Sequence, residues 1–201
     1  ITKPKPQHLH ICIDEAWRGP LAGPVCVGMV MSLTGFNRSA YKDSKQLTEQ
    51  QRETLHQNIQ ELEKKWKIVS WRGMATASEI DATGIIPCLQ AATCRWLFAL
   101  LKKFYFQTWR PKLLASTFWE DTLALLHLDK QFRKRKVSPQ VIESIIGIAN
   151  NHYRITQLIL DGNHTFKLDQ HLSCSIQTII KGDQKNPLIS MASIIAKVTR
   201  D

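Results

Sequence analysis

Apolar positions along the chain change their spacing several times, and each change marks an element. Leu9, Ile11 and Ile13 recur at every second residue up to Asp14, which predicts a strand ending at the Asp14-Glu15 pair. Residues 25–33 form an apolar run interrupted by Gly28, so they read as a buried second strand rather than a helix. Thr48 and Gln51 have capping-box spacing, and Leu55, Ile59, Leu62 and Trp66 then fall on one helical face. Residues 67–72 read as a third strand. Residues 79–101 are mostly helical, and Gly84 and Pro87 set the start of the helix proper near Pro87. Leu158-Ile159-Leu160 runs into Asp161-Gly162-Asn163, a buried strand followed by a turn. A final strand is expected over 175–180. Asn186 and Pro187 then supply a cap and a first-turn proline to a helix whose stripe is Met191, Ile194, Ile195 and Val198.

Two stretches resist this reading. Residues 1–7 look like a frayed lead-in. Residues 102–153 carry aromatics (Phe104, Tyr105, Phe106, Trp109, Phe118, Trp119) and the basic run Arg133-Lys134-Arg135-Lys136. That combination fits either an added nucleic-acid contact or an extra helical hairpin with its own small core, and the hairpin is the preferred reading. The 201 residues suit one domain, and no repeat or low-complexity tract divides them. The chain opens at Ile1 rather than Met and stops at Asp201 inside a helical pattern, as a fragment would.

Composition adds two constraints. The 27 Lys+Arg against 17 Asp+Glu give a net charge of +10, which favours a polyanionic partner slightly over an indifferent basic surface. Five scattered cysteines (Cys12, Cys26, Cys88, Cys94, Cys174) contain no CxxC pair. They fit neither a disulfide framework nor a zinc site, and they point to buried thiols in a reducing cytoplasm. No uninterrupted apolar stretch is long enough for a bilayer, and the start does not read as a signal peptide, so no membrane association is expected.

Three acidic positions lie where strands end or helices begin: Asp14-Glu15, Asp161 and Asp183. Strand ends of a mixed α/β sheet are where separate segments converge. Carboxylates gathered without cationic partners repel and take up protons more readily, and a divalent cation relieves that repulsion. Hard oxygen ligands suit Mg²⁺ or Mn²⁺, and two such ions roughly 4 Å apart support phosphodiester hydrolysis. Spacing alone leads to metal-dependent phosphoryl chemistry and no further.

The residues around these acids resemble one family throughout. Ile13-Asp14-Glu15-Ala16-Trp17-Arg18-Gly19-Pro20-Leu21-Ala22-Gly23-Pro24 is similar to the opening Asp-Glu-Ala-Gly-Arg-Gly-Pro motif of the type-2 ribonucleases H, the ribonuclease HII family. Asp43-Ser44-Lys45-Gln46-Leu47, Glu79-Ile80-Asp81 and Asp161-Gly162-Asn163 resemble its next blocks, in order. Lys181-Gly182-Asp183 and residues 192–201 (Ala-Ser-Ile-Ile-Ala-Lys-Val-Thr-Arg-Asp) resemble its closing motif. The likeness covers 9–101 and 155–201. It implies an α/β ribonuclease H-like fold, with a mixed central sheet flanked by helices, in a single catalytic domain over 1–201. It also implies four metal-site and catalytic acids, Asp14, Glu15, Asp161 and Asp183, holding Mg²⁺ or Mn²⁺, with two ions present once substrate is bound. Arg18 and Gly19 correspond to the loop that contacts the ribonucleotide, where sensing a 2′-hydroxyl distinguishes RNA from DNA. Lys45 and Lys181 correspond to phosphate contacts. The implied partners are RNA–DNA hybrids and DNA containing ribonucleotides, cut 5′ of the ribonucleotide by a cytoplasmic monomer to leave 3′-hydroxyl and 5′-phosphate ends.

Three departures qualify the resemblance. Trp17 replaces the first glycine of Gly-Arg-Gly, where backbone freedom and close approach to the ligand matter, so weaker recognition of a single ribonucleotide is expected. Residues 102–153 form an insertion. The helices that follow the closing motif in the family, with their substrate-stacking tyrosine, have no counterpart up to Asp201. Alternative readings are an impaired hybrid-duplex binder of the same fold and a DNA-directed nuclease or integrase. The latter leaves Arg18-Gly19, Asp43-Ser44-Lys45 and the closing helix unexplained. A ribonuclease HIII would need an amino-terminal substrate-binding domain for which there is no room. Ser193 is expected to pack, and Arg200 and Asp201 to pair at the helix end.

Overall fold

A computed structural model of the protein describes residues 8–16, 23–41, 46–109, 139–150 and 154–201. The alternating Leu9, Ile11 and Ile13 lie on strand β1 (His8–Ala16), which continues through the acidic pair to Ala16. Two antiparallel steps follow, β2 (Val25–Ser32) and β3 (Ile68–Ala75). On the other side of β1, strands β4 (Arg154–Asp161) and β5 (Ser175–Ile179) pair in parallel. The sheet order is β3-β2-β1-β4-β5. β1 is central and covered on both faces, so it buries Cys12 as completely as Ile11 and Ile13. This is the mixed sheet flanked by helices that the sequence motifs imply.

Helix α1 (Glu49–Lys64) begins with the capping box read from its sequence. Thr48 Oγ1 accepts from Gln51 N at 3.3 Å, and Gln51 Oε1 accepts from Thr48 N at 2.9 Å. The mostly helical stretch over 79–101 is divided at Gly84, with φ +80°, into α2 (Ala77–Thr83) and α3 (Ile85–Trp109). α3 starts at Ile85, near Pro87 as expected. The first helical N–H groups have no intrahelical acceptor, so a proline in the first turn sacrifices nothing. The 85–105 part of α3, although interrupted by Arg95, Lys102 and Lys103, is long and apolar enough to cross a bilayer by length and composition. It is 61% buried and supplies Leu97, Phe98, Leu100 and Phe104 to the core on the sheet.

Helix α4 (Pro139–Asn150) follows, and its Val141, Ile142, Ile145 and Ile146 join that same core. The described ends of the presumed insertion therefore extend the main core rather than building a separate one. The reason is local: the four apolar residues share one helical face, and that face meets the sheet. The lead-in 1–7, the basic run 133–136 and Phe118 and Trp119 lie outside the described residues.

The opposite face is covered by α1 and by the last helix, with the short helix α5 (Gly182–Lys185) leading into α6 (Pro187–Arg200). Asn186 Oδ1 caps α6 by accepting from Leu188 N at 2.9 Å, and Pro187 takes its first position. Ile59, Met191, Ile194 and Ile195 pack there against Cys12, Val30, Ile68 and Ile159. α6 crosses the sheet on Gly28, where a Cβ would lie 2.1 Å from the Ala192 carbonyl oxygen. Only glycine permits that approach, and Gly28 is the register partner of Asp14.

Candidate active site

The parallel pairing of β1 and β4 runs to Ile13 opposite Leu160, so the next step sets Asp14 level with Asp161, the last residue of β4. Side chains two residues apart share a face. Asp14 therefore follows Cys12, and Asp161 follows Ile159, onto the side covered by α6. Glu15 falls on the opposite pleat and is half-buried, while its backbone N–H donates to Asp14 Oδ1 at 2.8 Å.

Asp161 is tied to the closing segment. Its Oδ1 accepts from Gly182 N at 2.5 Å, and the following Gly162, at φ +86°, donates to the Ile179 carbonyl at 3.0 Å. A Cβ on Gly182 would sit 2.6 Å from Ile189 Cδ1 and 3.0 Å from Asp161 Oδ1, so this backbone donor reaches the carboxylate only because it is glycine. Asp183 is the next residue and is buried. Lys181, left-handed at φ 55° and exposed, stands at the mouth of the same turn. The three predicted acidic segments thus meet at one end of the central strands. Arg18, Gly19 and Lys45, with Trp17, lie outside the described residues.

Asp14 is 5% exposed, and its carboxyl is held well above the ordinary carboxylate range. Burial is the largest cause. The negative charges of Glu15 and Asp161 push the same way, and hydrogen bonds from the Ser193 side chain and the Glu15 backbone oppose them. Ser193, on α6, is 2% exposed. It packs as expected, and it also touches the central acid, which the sequence reading did not assign to it. The only hint in the sequence is a hydroxyl inside an apolar stripe.

Among the described residues no three His, Cys, Asp or Glu side chains are gathered at metal-ligating distances. The donor set itself suits a hard divalent cation: oxygen ligands, with the buried Asp14 carboxylate between the negative charges of Glu15 and Asp161. Thiols do not compete for that role. Cys12 and Cys94 are pushed up to about 12 by burial, and Cys174 to about 11, so they stay protonated near neutrality. Arg200 and Asp201 pair at 2.6 Å, and Arg52 joins Asp201 at 3.1 Å, as expected for a helix end.

The profile of the family described as ribonuclease HII matches residues 11–97 and 120–201. A ribonuclease HII of Polynucleobacter necessarius is 31% identical over 189 residues, covering 94% of this chain and 68% of that protein. The ribonuclease HII of Nitrosomonas europaea is likewise 31% identical, with 94% of this chain and 60% of that protein covered. Among solved structures, the RNase HII of the PCNA complex from Archaeoglobus fulgidus superposes with a TM-score of 0.49 at 18% identity, over 96% of this chain and 72% of that one. The ribonuclease H2 from Pyrococcus horikoshii gives 0.49 at 20%, over 96% and 72%. By the family model over most of its length and the 31% identity to the Polynucleobacter enzyme, the chain belongs to the ribonuclease HII family of endonucleases.

Proposed function

We propose that this chain hydrolyses the RNA strand of RNA–DNA hybrids and cuts 5′ of ribonucleotides embedded in duplex DNA. The observation that carries the reading is Asp14, desolvated between two negative neighbours and level with Asp161, at one end of the sheet of a ribonuclease HII chain. Asp14, Glu15, Asp161 and Asp183 would hold Mg²⁺ or Mn²⁺, which when bound lowers the pKa of a water and polarises the phosphate, with two ions serving once substrate is in place. The residues do the rest by placement. Glu15 N–H and Ser193 orient the Asp14 carboxylate, and Gly182 N–H fixes one oxygen of Asp161. Lys181, exposed beside Gly182, is set to meet a substrate phosphate, and Lys45 is assigned the same role. Arg18 and Gly19 are assigned to the 2′-hydroxyl side of the junction. Hydrolysis adds water across the P–O3′ bond. The oxygen stays on phosphorus as a 5′-phosphate, and the proton leaves with the 3′-hydroxyl.

The test uses a labelled RNA–DNA hybrid and a DNA duplex with one ribonucleotide, each in Mg²⁺ and in Mn²⁺. Metal-dependent cutting to 5′-phosphate ends, lost by at least about a thousandfold in Asp161→Asn, is expected from the removal of a ligand acting in the transition state. Cutting that persists in Asp161→Asn, or no cutting by the unaltered chain, overturns the proposal. Trp17 favours a second reading, an impaired binder of hybrid duplexes. That reading predicts duplex binding without turnover, with cleavage restored in Trp17→Gly.

A further inference from the structure

Resting on that proposed function, we infer that Ser193 is a positioning residue: its hydroxyl holds the Asp14 carboxylate in the orientation that receives a divalent cation. Three observations carry this. The first is geometric. α6 lies so close to the sheet at Gly28 that a single methyl there would meet the Ala192 carbonyl at 2.1 Å and the Ala196 nitrogen at 3.0 Å. Gly28 is the register partner of Asp14, so the residue after Ala192 is pinned above the acid with no slack in the backbone.

The second is the cost of burial. Leu188–Ala196 is buried without interruption, and within it Ser193 is 2% exposed. A hydroxyl buried in apolar surroundings is unfavourable unless it is hydrogen-bonded, and here it donates to the acid. Ser190, one turn earlier on the same helix, supplies the contrast. It is equally buried, but its Oγ has no hydrogen-bond partner among the described residues.

The third is the choice of donor. Asp14 is held by a backbone N–H and a hydroxyl, both neutral. A lysine or arginine in the same place would orient the carboxylate equally well but would cancel its charge, and the site would lose its attraction for a cation. Neutral donors fix direction and leave the charge available, as expected of the groups that support a metal ligand from behind.

The test measures Mn²⁺ alone binding to the full chain, from the loss of the free-ion electron paramagnetic resonance signal, alongside the metal dependence of hybrid cleavage. Ser193→Ala is expected to weaken Mn²⁺ binding by about tenfold or more and to raise the metal concentration for half-maximal cleavage in step. Ser190→Ala, which removes a buried hydroxyl from the same helix without touching the acid, is expected to leave both unchanged. Ser193→Thr, which keeps the donor, is expected to restore binding most of the way. Equal Mn²⁺ affinity in Ser193→Ala and Ser190→Ala overturns the inference and leaves the proposed activity standing. A loss in Ser193→Thr as large as in Ser193→Ala assigns the effect to packing and overturns it too. An unaltered chain that neither binds Mn²⁺ nor cleaves overturns the proposed function, and this inference with it.

Discussion

His56 and Asp14 experience the same force in opposite protonation states. Burial disfavours the charged form of either, so it raises the pKa of the acid and lowers that of the imidazole. His56 lies on the buried side of α1, against a cavity of about 330 Å³ lined by Gln60, Glu63, Arg72 and Lys103 among others. The Arg72 charge depresses the imidazole further, and Glu53 partly opposes it. A folded pKa below the ordinary 6.5 means that the unfolded chain binds the proton first as pH falls. The contribution to stability is complete above pH 6.5 and is lost as pH drops through the depressed value. His56→Gln should therefore flatten the fall in Tm between pH 7.5 and about 5. A variant whose Tm falls as steeply as that of the parent would show that His56 is not the titrating group. None of this is legible in the sequence, where His56 is one polar residue beside Leu55 on an amphipathic helix. Ser193 was hidden for the same reason, since its partner is far away along the chain.

At the level of elements, what local chemistry specifies was legible and what distant segments specify was not. The capping box at Thr48, the cap at Asn186 and the apolar run of β2 each contain their own cause within a few residues. The division between α2 and α3 is made by Gly84, whereas the first residue of α3 depended on which first-turn position would take Pro87, a choice nearly neutral in energy. The outer edge of the sheet shows the non-local case. Among the described residues β3 has no strand beyond it, so its outer backbone groups need another cover. Two helices close them at Ser70. Glu63 of α1 accepts from Ser70 N at 2.6 Å and from Ser70 Oγ at 3.0 Å, while Lys103 of α3 donates to the Ser70 carbonyl at 3.2 Å. Lys103 and Glu63 are themselves paired at 2.8 Å, with the ammonium 5.8 Å from the centre of the Trp71 ring. Glu63→Ala leaves the part-buried Ser70 N–H without its acceptor and the Lys103 ammonium without its counter-charge, and should cost about 1–3 kcal/mol in urea unfolding, with more light scattering on heating. Glu61→Ala on the same helix removes only the exposed pair with Lys64, which solvent screens, and should cost far less than Glu63→Ala. Equal costs would remove the case for Glu63 as the guard of this edge.

For the whole molecule, the sheet order explains why motifs far apart in the chain describe one site. Parallel pairing of β1 with β4 makes neighbours of Asp14 and Asp161, a register that no period in the sequence encodes and that only the order of family motifs anticipated. The same order brings the turn at Gly182 against Asp161 and leaves Lys181 facing solvent beside the acids. The net charge of +10 is a property of the whole chain, whereas Lys181 is one exposed charge beside Gly182 and the acids, and the proposed function assigns it a phosphate. Salt separates these contributions. Each lysine or arginine on a phosphate releases condensed counterions, so the logarithm of affinity falls with the logarithm of salt by nearly one unit per contact on duplex DNA. In an Asp161→Asn background, which binds without cutting, Lys181→Ala should weaken hybrid binding and reduce that slope by about one. Lys64→Ala removes an equal charge from the exposed face of α1, where it is already paired with Glu61, and should leave the slope unchanged. If the two substitutions lower affinity equally and neither changes the slope, attraction to the hybrid belongs to the overall charge, and Lys181 has no phosphate of its own.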